Sequence, residues 1–178
     1  MPAQTTLATL PDPAGVFTGA NLAAINTALT AQNANNGTIS AAARVDTIAL
    51  SNADLLALHA TPKVLVAAQG AGTLILFNSL VLEYVYAAAF TIGSATNLTV
   101  AYKADASGGA ASTTFAVTGF LDQTANKVEQ IKTVTTNIAQ AGNLNQPLVL
   151  SLAGADVTGG AGTTGIAIIS YTVVSGLV

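Results

Sequence analysis

Cysteine is absent from the 178 residues, which removes disulfides, thiolate nucleophiles and cysteine-ligated metal sites together. Tryptophan is absent too, and His59 is the single histidine, so a histidine-built zinc site has no second ligand. Charge is the largest deficit: Asp, Glu, Lys and Arg make up 7% of the chain, against a usual share of about 25%. The five basic side chains are spread from Arg44 to Lys132, and the formal charge is −3. No basic patch is available to neutralise phosphates, so nucleic acid is not expected as a partner. Nor is there an unbroken apolar run of bilayer length. Residues 74–90 come nearest, but Asn78, Ser79 and Glu83 interrupt them and no Lys or Arg flanks them. They predict two buried strands, and no membrane is expected as a partner. The N-terminus lacks a basic segment leading into an apolar run, which argues against a signal peptide and for synthesis in the cytoplasm.

What the chain does have is apolar and small. Hydrophobic residues make up 51%, and high hydrophobicity with low net charge is the reverse of a disordered composition. The length suits one domain with an appendage. Residues 18–33 carry Leu22, Ile25 and Leu29 at helical spacing, with Thr18 placed to cap and Gly37 to stop the helix. The stripe is narrow, and a short helix of this kind needs a surface to lean on, in its own domain or on a neighbouring subunit. A second short helix is predicted over residues 51–58, with Ser51 as cap, Asp54 in the first turn and Thr61-Pro62 ending it.

From Thr61 the pattern becomes one of strands and turns. Runs rich in Val, Ile, Leu, Thr, Phe and Tyr cover 64–68, 73–77, 81–86, 98–102, 113–120, 128–135, 147–151 and 164–174, separated by Gly- and Asn-containing turns. With no helical period between them, the prediction is a mainly β fold: a jelly-roll-like β-sandwich over residues 61–178, preceded by an N-terminal arm with short helices over residues 1–60. The last run is apolar on both parities, with Ile166, Ile168 and Val174 on one and Ala167, Ile169, Tyr171 and Val173 on the other. A central core strand and a strand covered by an adjacent subunit both fit that pattern.

Catalytic equipment is hard to assemble from what remains. His59 has no nucleophile elbow to serve, and its place at a helix end suits a satisfied or exposed side chain. Of the acids Glu83, Asp105, Asp122, Glu129 and Asp156, two sit beside Gly-rich loops where Asp serves the turn, and no Trp offers a sugar platform. The segment 160–165 matches G-x-G-x-x-G in form, but it precedes a strand, whereas a dinucleotide site needs the motif to open a helix. The expectation is a binding and assembly protein, with no catalytic, metal or cofactor site and no cofactor.

Two segments carry a resemblance. Residues 53–76, with Thr61-Pro62 and the turn Gly70-Ala71-Gly72, resemble a cassette of tailed-phage virion proteins: a short helix ending in Thr-Pro, a strand, a Gly-x-Gly turn and a second strand. The closing Val157-Thr158-Gly159-Gly160-Ala161-Gly162, followed by a strand containing Tyr171, is similar to the C-terminal end of the same proteins. Gln69 stands where Pro is common in the family. The family is that of tailed-bacteriophage capsid decoration or cement proteins. The resemblance implies a jelly-roll-like structural protein, typically a homotrimer, that binds the major capsid protein on the virion surface after synthesis in the bacterial host cytoplasm. Its work would be mechanical, bridging capsomers against the pressure of packaged DNA.

The rival expectation is a phage fibre or receptor-binding domain recognising a host surface ligand. It would gather aromatic and polar side chains in one surface pocket, and Tyr84, Tyr86, Tyr102 and Tyr171 are the available aromatics with hydroxyls. Interface candidates are the helical stripe Leu22, Ile25 and Leu29 together with Tyr84, Tyr86 and Tyr171.

Overall fold

A computed structural model describes Ala23, Ile25 and Thr27 and residues 40–134, 138–140 and 142–177. The chain divides into two units, Met1–Thr38 and Ile39–Val178. In the first, Ala23, Ile25 and Thr27 are helical, and the Thr27 hydroxyl donates to the Ala23 carbonyl at 2.9 Å. The rest of the helix predicted over residues 18–33 lies outside the described residues.

The second unit is mainly β and antiparallel. Its strands are β1 (Ser40–Leu50), β2 (Lys63–Val66), β3 (Leu74–Val85), β4 (Phe90–Thr91), β5 (Asn97–Tyr102), β6 (Phe115–Ala116), β7 (Lys127–Lys132), β8 (Leu148–Leu152), β9 (Thr158–Gly159) and β10 (Thr164–Ser175). One four-stranded sheet has the order β1-β10-β3-β7, the other β2-β8-β5-β6, and β4 pairs with β9. Four pairings nest inside one another: β1 with β10, β2 with β8, β3 with β7 and β5 with β6. Successive pairs of the nest alternate between the two sheets, so the strand pairings follow the pattern of one long hairpin folded over on itself. The pairings β10 with β3 and β8 with β5 complete each sheet.

Both sheets bury one face in a shared core. Leu80, Leu82, Tyr84 and Ile169 of the first sheet and Leu98, Val100, Leu148 and Leu150 of the second belong to one apolar cluster. The phenol of Tyr102 in β5 donates to the Ile75 carbonyl in β3 at 2.5 Å, tying sheet to sheet. Between β1 and β2 lies helix α1 (Asn52–Leu56). Ser51 caps it as predicted: its hydroxyl accepts from the Asp54 amide, and the Asp54 carboxylate accepts from the Ser51 amide, a reciprocal capping box.

Three expectations need adjustment. Residues 40–60 were assigned to the arm, yet β1 pairs along its whole length with β10 as an edge strand of the first sheet. Its pattern hides this, because residues 41–47 are all exposed and no alternation of apolar and polar side chains marks a buried face. The runs 73–77 and 81–86, expected as two strands, are the single strand β3. Its register against β10 slips between Ser170 and Tyr171, where Asn78 is the extra residue. The slip switches the inward parity from Ile75 and Phe77 to Leu80, Leu82 and Tyr84, and a broken alternation looks in sequence like a break in the strand. β10, apolar on both parities, buries one of them: Ala167, Ile169, Tyr171 and Val173 point into the core, while Ile166, Ile168 and Val174 line the outer face.

Candidate functional site

The segment that matches G-x-G-x-x-G does structural work. Gly160 has φ +64°, and a Cβ there would lie 2.2 Å from the Phe90 ring, so glycine is required on both counts. The Asn52 side-chain amide donates to the Gly160 and Thr163 carbonyls at 2.6 and 3.2 Å. The buried Thr163 hydroxyl accepts from the Ala87 and Ala88 amides and donates to the Ala88 carbonyl. This knot joins the start of β10 to the end of β3 and to α1.

The titratable groups are occupied in the same local way. The Asp156 carboxylate accepts from the His59 and Ala60 amides at 2.7 and 3.2 Å. His59 Nδ1 lies 2.9 Å from the Leu152 carbonyl, and because a carbonyl only accepts, Nδ1 carries the proton. Asp122 accepts from the Gly119 amide, Asp105 from the Ser107 amide, and Glu129 pairs with Lys127 at 2.9 Å. For Asp105, the Ser107 hydrogen bonds hold the carboxyl below its usual range. Among the described residues no cluster of three or more His, Asp or Glu could hold a metal ion, and no helix is long and apolar enough to cross a membrane.

The four tyrosines do not converge on a surface pocket. Tyr84, Tyr102 and Tyr171 are buried, and Tyr86 is the exposed one. Tyr84 and Tyr86 are neighbours, with ring centroids 6.5 Å apart, but Tyr84 points inward and its hydroxyl donates to the Ala88 carbonyl. Burial raises the phenol pKa of Tyr84 and of Tyr171, and pushes that of Tyr102 up to about 12. Of the expected interface residues, Tyr84 and Tyr171 therefore fill the core of their own chain and Tyr86 is open to solvent. Ile25 is helical and half-buried, and Leu22 and Leu29 lie outside the described residues.

What remains as a site is surface. The registers lay out the outer face of the first sheet in rows running β1, β10, β3, β7: Val45, Ser170, Ser79, Lys132; then Thr47, Ile168, Val81, Gln130; then Ala49, Ile166, Glu83, Val128. Across twelve side chains these rows hold two charges, one of each sign. Val45, Ile168 and Val128 are 66%, 40% and 61% exposed. No family model, curated protein or solved structure matches the chain. The sequence marks Ile166 and Ile168 as an apolar parity of β10 and Val128 as part of a strand run, but not Val45, which falls in the expected arm, and not the pairing that brings the four onto one face.

Proposed function

We propose that this chain is a structural virion protein, a jelly-roll domain that binds the outer surface of a phage capsid and stabilises it by bridging capsomers. The fold part of the reading is supported by the winding: numbering the eight strands of the two four-stranded sheets along the chain, without β4 and β9, gives sheet orders 1-8-3-6 and 2-7-4-5. This is the order of a double Greek key rolled from one hairpin. That winding hosts many functions, so it does not select one.

The observation that carries the assembly reading is the outer face of the first sheet. It is broad, built on four paired strands, and nearly uncharged, so covering it with another protein removes apolar area from water without stripping water from ions. Residues 53–76, with their likeness to the virion cassette, supply the capsid as the partner. Bridging contacts of modest area, repeated over a symmetric shell, add through effective concentration. The test is co-sedimentation of the purified chain with expanded phage capsids that lack their decoration protein. Binding that saturates at a fixed ratio to capsomers, together with greater capsid resistance to heat or osmotic shock, is the expected result. Absence from the capsid pellet would overturn the proposal, and binding to host cells instead would favour the receptor-binding alternative.

A further inference from the structure

β1 is an unusual edge. It runs for 11 residues, pairs with β10 on one side and, among the described residues, has no strand on its other side. Protein sheets ordinarily protect such edges with short strands, Pro, Lys or a bulge. β1 contains no Pro or Lys, and its register against β10 is unbroken from Ser40 to Leu50. The other edge strands are shorter: β7 has 6 residues, β2 has 4 and β6 has 2. The only charges on β1 are Arg44 and Asp46, of opposite sign and two positions apart, with the exposed Val45 between them.

We infer that β1 is a self-association edge, on which a second copy of this chain adds its own β1 antiparallel about a two-fold axis centred on Val45. An axis normal to the sheet keeps the inner faces of both copies on the same side, so only even shifts of register are allowed. In the register centred on Val45, Arg44 of each copy stands opposite Asp46 of the other, and Val45 stands opposite Val45. Ala43 meets Thr47, Ala42 meets Ile48, Ala41 meets Ala49 and Ser40 meets Leu50. Moving the axis one residue either way sets Arg44 against Arg44 or Asp46 against Asp46. Directly opposed like charges destabilise a strand pair and opposite charges stabilise it, so the two side chains select one register.

Both groups keep the capacity this requires. Arg44 uses Nη1 to donate to Gln69 Oε1 at 2.9 Å, leaving other guanidinium N–H groups free. Asp46 uses Oδ2 to accept from the Tyr171 hydroxyl at 2.7 Å, leaving Oδ1. The result is a continuous sheet running β7-β3-β10-β1 and on through β1-β10-β3-β7 of the second copy, an isologous contact that closes on itself and hides both edges. The contact stands apart from the capsid proposal, and the three-fold assembly implied by the resemblance would use another face.

Charge exchange tests it on the full-length chain by sedimentation velocity at micromolar concentration. Arg44→Glu alone and Asp46→Arg alone each set like charges opposite one another twice in a homodimer, and each should weaken self-association by about tenfold or more. An equimolar mixture of the two variants restores both opposite-sign contacts and should form a heterodimer, and the chain carrying both substitutions should form a homodimer. Val45→Lys, at an exposed position that bonds neither Gln69 nor Tyr171, should also halve the particle mass, and it keeps the test decisive if a charge reversal fails to fold. A wild-type monomer at high micromolar concentration would overturn the inference, as would an oligomer whose mass ignores all three substitutions. Neither outcome bears on whether the chain sediments with capsids.

Discussion

Two residues show how closely chemistry and position are matched in this chain. The Tyr102 phenol bridges the two sheets through the Ile75 carbonyl, and burial lifts its pKa to about 12. A folded-state pKa above the unfolded value of about 10 means that the neutral phenol stabilises the fold fully below pH 10. That contribution drains away as pH climbs toward the folded value. Alkaline unfolding followed by tyrosinate absorbance and circular dichroism together should show stability falling between about pH 10 and 12, and Tyr102→Phe should lack that component. At neutral pH the same variant should lose about 1–2 kcal/mol, because the buried Ile75 carbonyl loses its donor. Gly160 is constrained differently, by its left-handed backbone and by the Phe90 ring against it. Gly160→Ala should cost about 2 kcal/mol or more in denaturant melts.

At the scale of elements, α1 is short enough that its ends decide it. Removing the cap with Ser51→Ala should cost about 1 kcal/mol. Burial alone would raise the Asp54 carboxyl pKa, but hydrogen bonds from Lys63 and Ser51 outweigh it and hold the group below its usual range. A depressed folded pKa stabilises above the unfolded value and is lost as pH falls through the folded one. The stability gap between wild type and Asp54→Asn should therefore narrow below about pH 4, as acid melts of both proteins would show. The cap and most strands were legible in sequence, since Ser51, Asp54, the Gly-rich turns and the β-branched runs each act over a few residues. β3 was legible only in halves, because the bulge at Asn78 reverses the alternation that period-two reasoning depends on. β1 was not legible at all. An edge strand exposed over residues 41–47 needs no apolar stripe, and what makes it a strand is β10, more than a hundred residues away. The candidate surface inherits that difficulty, since its rows are assembled from four strands whose neighbours no local pattern specifies.

For the molecule as a whole, the exposed outer face and the bare edge make separable predictions. Ile168→Lys sits at the middle of the face, clear of β1's free side, and should weaken capsid co-sedimentation about tenfold while leaving the melting temperature within a degree or two. The nested hairpin has a consequence in time as well as in space. Its outermost pair joins Ser40 to Ser175, and β10, which lies between β1 and β3, follows every other strand of the two sheets in chain order. Until β10 emerges from the ribosome, β1 and β3 have no common neighbour, and the first sheet cannot close. Long-range pairing of this kind places refolding in the millisecond-to-second range. A chain stalled before Thr164 would leave β1 without its partner and one side of β3 open, so chaperone capture of nascent chains should peak at lengths just short of β10.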